Sequence, residues 1–375
     1  NALAEAQERL GASINIGASM DRSTANLSTP TANLGSSLTL LADVLRNPAM
    51  DADAFERVRA QRLTGIAGER TQPAAIAARA LPPLLYGTDS PYGRGFTGTG
   101  DEATIRALSV SDLASEHATW LRPDNATVYV VSDRPLAEVR AELDRAFGDW
   151  TPPATARGQK NFGSALPTPQ PRIVLIDRPQ SPQSLIYAGQ VLPVSGTEDL
   201  LTMNVANSIL GTDFLSRINS DLRETKGWSY GVRGGPTLVE GRVPYFINAP
   251  VQANRTGESI QALMAQYDRF LEVEGVTQAE RDRAVNGNTR SLAGQYETSF
   301  QILNTLISND LYNRPDDYPE TVASRTRALT PADMDAAARA AIDPDRFVWV
   351  VVGDASVVRP QLEALGMPIE ELPIR

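Results

Sequence analysis

The sequence predicts an α+β fold built as two tandem copies of one unit, each a mixed sheet with helices packed on one face. One observation behind this prediction is that short apolar strands are followed by runs of helical spacing. The other is an internal duplication: Leu108-Ser-Val-Ser-Asp112 returns 221 residues later as Leu329-Thr-Pro-Ala-Asp333. Val128–Asp133 returns as Trp349–Asp354 at the same offset. A period this long excludes a solenoid, so we expect two domains.

The first domain is predicted over residues 1–150. Its opening stretch, Ala12–Pro30, is rich in Ser, Thr and Ala and is predicted to be extended. Apolar residues spaced three and four apart then predict helices, and a short run of β-branched residues predicts a strand. The predicted helices are Leu34–Arg46, Ala52–Glu69, Val110–Leu121 and Leu136–Phe147, and the predicted strand is Ala126–Ser132.

A proline-rich linker over residues 151–171 joins this domain to a second domain, predicted over residues 172–375. The linker is stiff and extended because it contains Pro152, Pro153, Pro167, Pro169 and Pro171. The same apolar patterns predict the elements of the second domain. Its predicted strands are Ile173–Ile176, Leu185–Val191, Trp228–Val232, Tyr245–Val251 and Phe347–Val352, and its predicted helices are Asp199–Leu210, Thr212–Glu224, Gly257–Val273, Gln278–Thr298 and Ala355–Leu365.

The two copies are unequal at their beginnings. The second copy starts with two strands and a helix, Ile173–Leu210, for which the first copy has no counterpart. A sheet that lacks strands present in its twin exposes an edge and an apolar face. We therefore expect the first domain to be incomplete at its N-terminus. Either the chain begins late, or a preceding segment or a partner completes this domain.

Composition narrows the class of protein. The 375 residues include 45 acidic and 35 basic side chains, a net charge of −10, which argues against nucleic-acid binding. No apolar run approaches the roughly 18 residues of a membrane span. The absence of cysteine excludes disulfides and thiolate metal sites, and suits an exported bacterial protein. We expect a periplasmic or secreted location, and otherwise a cytoplasmic one.

The segment from Gly211 to Gly235 carries the candidate site. Helical spacing over Thr212–Glu224 ends at Gly227, and alternation then predicts the strand Trp228–Val232. A helix that stops at a glycine and continues as a strand places Arg223 and Tyr230 near one another. A guanidinium and a phenol together supply donors suited to a peptide carbonyl or a developing oxyanion.

Beyond this spacing, the segment resembles a known signature. Arg223-Glu224, Gly227 and Tyr230 match the second motif of the insulinase-type zinc metallopeptidases, a family that includes the pitrilysins and mitochondrial processing peptidases. Other stretches fall in that family's order, so the resemblance covers essentially the whole chain: Leu10–Ser13, Asp43–Pro48, Tyr86–Gly93 and Arg122–Asn125. The resemblance implies two α/β-roll domains and hydrolysis of peptide bonds, with Arg223 and Tyr230 as the catalytic residues of this chain.

The family's first motif is missing from these residues. It is His-x-x-Glu-His on a helix, whose histidines bind zinc while the glutamate activates water. The chain has one histidine, His117, whose spacing with apolar helix residues predicts a packed structural role. The resemblance therefore implies that zinc is held by a homologous partner half with its own His-x-x-Glu-His, and that this chain binds none. Family spacing would put that motif just upstream of Asn1.

Glu69 lies where the resemblance places a third zinc ligand. One or two turns earlier the family usually has another glutamate, whereas this chain has Arg62. A cation beside a zinc site competes for its carboxylates, so a solvated carboxylate at a helix end is the other interpretation of Glu69.

Two classes of function stay open on the sequence. The chain is either the half of a zinc peptidase that anchors peptide substrates, or a non-catalytic scaffold or interaction subunit of the same fold. A variant of the first hypothesis makes it a truncated view of a subunit with its own upstream zinc site.

Overall fold

The computed structural model describes residues 2–168 and 170–374; Asn1, Pro169 and Arg375 lie outside the described residues, Pro169 being one of the predicted linker prolines. The chain forms two compact units. The first contains the chain up to Ile66 together with Gly100–Lys160 and Thr298–Asn304. The second contains Ala67–Thr99, Asn161–Glu297 and the chain from Thr305 onward.

Helices account for most of the described secondary structure. In chain order they are α1 (Ala2–Leu10), α2 (Leu34–Arg46), α3 (Ala52–Glu69), α4 (Pro73–Tyr86), α5 (Glu102–Ala107), α6 (Val110–Trp120), α7 (Leu136–Phe147), α8 (Leu201–Asn207), α9 (Arg217–Asn219), α10 (Thr256–Asp268), α11 (Gln278–Gly294), α12 (Ser299–Leu311), α13 (Tyr318–Ala328), α14 (Pro331–Ala341) and α15 (Ala355–Glu363). The strands are β1 (Ser13–Ala18), β2 (Ser23–Ser28), β3 (Arg172–Asp177), β4 (Gln183–Ser195), β5 (Arg233–Pro236), β6 (Arg242–Gln252), β7 (Val348–Gly353) and β8 (Ile369–Glu371). None of the described helices is long and apolar enough to cross a membrane.

The second unit is built on a six-stranded sheet with the order β5-β6-β4-β7-β3-β8. β4 runs antiparallel to both β6 and β7, whereas β3 runs parallel to β7 and β8. All six residues of β7 are buried, as expected for a strand with neighbours on both sides and covered faces. The sheet is therefore mixed, and the predicted α+β class is confirmed.

Both faces of this sheet are covered. One face packs on the main apolar core, to which α10 contributes Ile260 and Leu263 and α14 contributes Met334. On the other face lies α4, which contacts β4 and β7. Gly189 of β4 permits this approach, because a Cβ there would lie 3.2 Å from Leu81 Cδ2 of α4. The sequence predicted helices on one face only, so α4 is an addition to that prediction.

The first unit contains the antiparallel hairpin of β1 and β2, in which Ser13 pairs with Ser28. α2 packs against α7, and Leu38, Leu41 and Val139 are buried. α2 and α3 have the predicted bounds.

The predicted strand Ala126–Ser132 is wrong. This segment forms no β-bridge within the described residues, and Val128 and Val130 are exposed. A strand is stabilised by its neighbours, and the described part of the first unit places none beside this segment.

The two units repeat the same local order. α2 and α10 both contain 13 residues, and each follows a short 3₁₀ turn. By packing, however, Ala67–Thr99 belongs to the second unit although it lies within the predicted first domain. The domain boundaries 1–150, 151–171 and 172–375 describe the duplication in the sequence and stay a prediction.

Candidate functional site

The Arg/Tyr segment, residues 211–235, begins where α8 ends. A π-helical turn, Ser208–Thr212, continues α8, and a second one, Ser220–Thr225, continues α9. The continuous helix predicted over Thr212–Glu224 is therefore wrong. The backbone of β5 passes close to this turn at Gly211, where a Cβ would lie 2.2 Å from the Gly234 carbonyl oxygen. Glycine at this position therefore permits the close approach of β5, and the chain leaves the turn at Asp213.

Gly227 ends the second part of the segment as predicted. Its φ of +66° is in the left-handed region that favours glycine, and the Trp228 N–H donates to the Leu222 carbonyl at 2.9 Å. The strand predicted at Trp228–Val232 is wrong, because only Ser229 forms a bridge, to Val251, and β5 begins at Arg233. The chain must first complete the turn before it can pair with β6.

Arg223 lies in the π-helical turn with its side chain about one-third exposed, at 35%. Its guanidinium stacks over the Phe214 ring, with Cζ 4.4 Å from the ring centroid. Its Nε also lies 3.2 Å from Glu224 Oε1. These contacts orient the cation while leaving part of its donor set open to solvent.

Tyr230 is 88% exposed, and its phenol makes no hydrogen bond within the described residues. Its backbone is fixed on both sides. Ser229 Oγ donates to the Pro250 carbonyl at 2.6 Å, and Val232 is fully buried. The phenol is therefore an exposed hydrogen-bond donor on a segment whose backbone is held in place.

A buried polar network supports the segment from below. Tyr245 Oη donates to Asn207 Oδ1 at 2.6 Å and lies 2.8 Å from Tyr267 Oη. Asn207 Nδ2 in turn donates to the Gly234 carbonyl at 3.0 Å. Burial raises the pKa of both phenols well above their usual value, so both stay neutral. The network attaches β5 to the core of the second unit.

Asn219 is a support that sequence reasoning missed. It is 4% exposed, and its Nδ2 donates to the Phe214 carbonyl at 2.7 Å. Its Oδ1 accepts from the Val232 N–H at 2.9 Å. The available signal was a polar residue beside the apolar helix positions Ile218 and Leu222.

Arg217 anchors the start of α9. Its Nε and Nη2 both donate to the Glu280 carboxylate at 2.8 Å, and Nη2 donates to the Gly275 carbonyl at 2.6 Å. Burial opposes ionisation of Glu280, but hydrogen bonds from Arg217 and Thr277 outweigh it and lower its pKa to about 2. This pair joins α9 to α11 with a bidentate geometry.

Glu69 has a different environment from either interpretation given above. Its side chain is 16% exposed, and Oε2 accepts from Arg79 Nη1 at 2.6 Å and from Thr99 Oγ1 at 2.9 Å. It is a paired carboxylate that fixes the end of α3 to α4.

The described residues do not fit a zinc site. No group of three or more His, Asp and Glu side chains in them is arranged to hold a metal ion. Glu69 shares its carboxylate with a cation, which disfavours a second cation there. His117 Nε2 lies 2.7 Å from the Leu45 carbonyl oxygen, which matches its predicted structural role. We derive no zinc chemistry from this chain's own side chains.

Comparison with known proteins bears on the family resemblance. The family model described as the peptidase M16 inactive domain matches residues 107–288, a range that includes Arg223 and Tyr230. The crystal structure of a peptidase M16 inactive domain from Pseudomonas fluorescens superposes with a TM-score of 0.84 at 27% identity. The match covers 94% of this chain and 84% of that one. The family match therefore covers just under half of the chain, and the chain is similar to M16 peptidase proteins beyond that range. M16 is the family of the insulinase-type peptidases, so the predicted resemblance is confirmed.

Curated M16 relatives carry divided descriptions. An uncharacterized zinc protease of Mycobacterium leprae is 24% identical over 248 residues, which cover 64% of this chain and 53% of that protein. A Helicobacter pylori protein described as a non-peptidase homolog is 20% identical over 320 residues, covering 84% of this chain and 72% of that one. The chain spans about half the length of the mycobacterial relatives it matches.

Proposed function

We propose that this chain is the metal-free half of an M16 zinc peptidase, and that it anchors the peptide substrate and stabilises the oxyanion during hydrolysis. The observation that carries the proposal is the presentation of Arg223 and Tyr230. Both side chains are open to solvent, at 35% and 88% exposure, on a segment whose backbone is fixed by buried hydrogen bonds.

The chemistry follows from the two side chains. Arg223 carries a permanent cation with a planar set of donors, which suits a peptide carbonyl. Tyr230 adds a neutral O–H donor. Donors of this kind stabilise a tetrahedral oxyanion more than the ground-state carbonyl, and one such donor is typically worth about 3 to 4 kcal/mol, or 10² to 10³ in rate.

A zinc-bearing partner half with a His-x-x-Glu-His motif would complete the enzyme. When bound there, zinc supplies the activated water. In this proposal, the partner is either another part of a longer polypeptide or a separate homologous chain. The assembly would be a zinc metalloendopeptidase, and this chain alone would be inactive.

The test is peptide cleavage and zinc content of this chain, alone and combined with its zinc-bearing partner. We expect no zinc and no cleavage alone, and cleavage in the combination. In the combination, Arg223→Ala and Tyr230→Phe should each lower the rate about 10² to 10³ without changing assembly or Tm. Normal cleavage by both variants would exclude the catalytic role. Stoichiometric zinc in this chain alone would contradict the metal-free half.

A non-catalytic scaffold is the second candidate. It is supported by the description of the Helicobacter pylori relative as a non-peptidase homolog. A scaffold would assemble with its partner just as well after Arg223→Ala, and the assembly would cleave no peptide before or after the change. The two candidates therefore differ in the cleavage assay and agree in the assembly assay.

We also propose export to the periplasm or the medium, on the basis of a chain without cysteine. Fractionation of cells that express the natural gene tests this. Recovery from the cytosol alone would contradict it.

A further inference from the structure

Two buried asparagines lie at the open edge of the six-stranded sheet. β5 is the terminal strand of the sheet and pairs only with β6. Such an edge normally leaves backbone groups without a strand partner. Here Asn207 Nδ2 donates to the Gly234 carbonyl at 3.0 Å, and the Val232 N–H donates to Asn219 Oδ1 at 2.9 Å. The Asn207 amide thus takes the place of a neighbouring strand at Gly234 of β5, and the Asn219 amide binds the backbone just before β5 begins.

Asn219 also connects two parts of the candidate site, because its side-chain amide forms hydrogen bonds to the backbone on both sides of it. Its Nδ2 donates to the carbonyl of Phe214, whose ring lies under the Arg223 guanidinium. Its Oδ1 accepts from Val232, two residues after Tyr230. One side chain is therefore connected to the backbone that supports Arg223 and to the backbone that supports Tyr230.

The environment strengthens this connection. Asn219 is 4% exposed, and its neighbour Ile218 is fully buried. Hydrogen bonds in a buried, low-dielectric site are stronger than those at the surface, and leaving either partner unsatisfied there is costly. Asn219 cannot leave its partners without burying unpaired groups.

We propose that Asn219 is the positioning residue of the Arg/Tyr segment: by bonding to Phe214 and Val232 it presents Arg223 and Tyr230 to a peptide in one fixed arrangement. This inference rests on the proposed function and deepens it. Donors that are already ordered bind more tightly than mobile ones, because binding then does not have to order them. The contact with substrate belongs to Arg223 and Tyr230, and Asn219 acts through them.

Two variants distinguish the hydrogen bond from Asn219 to Phe214 from the one between Val232 and Asn219. Asn219→Ala removes both hydrogen bonds, and we expect the Val232 amide to exchange with solvent deuterium about tenfold to hundredfold faster. Asn219→Asp keeps an acceptor for the Val232 N–H but replaces the donor to Phe214 with a second carboxylate oxygen, which repels the Phe214 carbonyl. In that variant Val232 should exchange more slowly than in Asn219→Ala. Native-state hydrogen exchange resolved to single amides measures this in the unmodified chain and in both variants.

The affinity for a peptide then distinguishes a positioning role of Asn219 from a general contribution of Asn219 to stability. The probe is fluorescein-labelled oxidised insulin B chain, an unstructured peptide, titrated with the chain alone. We expect Asn219→Ala to weaken peptide binding about tenfold. This change corresponds to a loss of about 1.4 kcal/mol of binding free energy. Ile218→Val is the matched control, since it removes one buried methylene from the residue before Asn219. It should lower Tm while leaving both Asn219 hydrogen bonds in place. Asn204 is an exposed asparagine on α8, and Asn204→Ala should change neither the peptide affinity nor Tm.

The outcomes are distinct. Unchanged exchange at Val232 in Asn219→Ala would overturn the connection itself. Faster exchange with peptide affinity equal to that of Ile218→Val would overturn positioning while leaving the proposed function intact, provided Arg223→Ala weakens binding. If Arg223→Ala also binds the peptide normally, substrate anchoring by this segment fails, and the positioning role fails with it; oxyanion stabilisation is tested separately by the cleavage rate of the combined halves.

Discussion

The ion pair between Arg217 and Glu280 should make the stability of the second unit depend on pH. The change that tests it is Glu280→Gln, which keeps one acceptor oxygen for the Thr277 N–H at the start of α11 and removes the charge together with one of the two oxygens that accept from Arg217. Arg217 and Glu280 are 12% and 16% exposed, so the pair is largely shielded from solvent. Loss of the Glu280 charge leaves the partly buried Arg217 guanidinium with Glu274, at 3.4 Å, as its remaining anionic partner.

The magnitude follows from the pKa of Glu280. A carboxyl pKa lowered from 4.5 to about 2 in the folded state corresponds to about 3 kcal/mol of stability at neutral pH. Because the folded pKa is the lower one, this stability is present above pH 4.5 and is lost as the pH falls toward 2. Glu274 and solvent screening reduce the measured value, so we expect about 2 to 3 kcal/mol for Glu280→Gln.

The assay is urea denaturation followed by tryptophan fluorescence, since urea does not screen charges. Unmodified protein and Glu280→Gln are compared at neutral pH and again near pH 3, where their difference should have shrunk. Glu258→Gln is the matched control: Glu258 pairs with Arg255 at the surface, and its loss should cost about 0.5 kcal/mol or less. A difference for Glu280→Gln that is the same at both pH values would refute this account of the pair.

Three further changes test other parts of the structure. Gly227→Ala should destabilise the second unit by about 1 to 2 kcal/mol, because its φ is positive while no atom lies within 4 Å of the added Cβ; urea denaturation measures the loss. Tyr245→Phe should cost about 1 to 3 kcal/mol, because it leaves the buried Asn207 Oδ1 without its donor; the change in Tm reports it. Arg79→Met should raise the affinity of Glu69 for added cations only slightly, and zinc titration by calorimetry with no measurable binding is the expected result, since among the described residues Glu69 belongs to no group of three or more side chains that could hold a metal ion. Tight zinc binding by Arg79→Met would contradict that reading of Glu69.

Local patterns were sufficient for much of the fold. Leu34–Arg46 and Ala52–Glu69 form helices with the predicted bounds, because helical hydrogen bonds and apolar spacing are both local properties of the sequence. Strands depend on partners, and this explains the failure at Ala126–Ser132, whose residues are suited to a strand but have no neighbour among the described residues.

The candidate site shows the same division. The stop at Gly227 is a local property of glycine and was predicted. Gly211 lies against Gly234, more than twenty residues away in the sequence, and no periodicity reports such a contact. Asn219 was missed for a related reason: its role depends on Val232, which reaches it only after the chain has turned.

Helix α4 has a consequence for how the protein is made. It is synthesised early, yet the strands it covers include β7, near the end of the chain. During translation its apolar side, with Ile76, Leu81 and Leu85, can begin to pack only when β4 has been made, and its burial is complete only when β7 has been made. Contacts so distant in sequence form slowly and leave apolar surface open to aggregation in the meantime. A fragment cut at the predicted linker, starting at Arg172, would lack α4 and expose one face of its sheet, so the second unit is expected to fold only when the earlier segment is present.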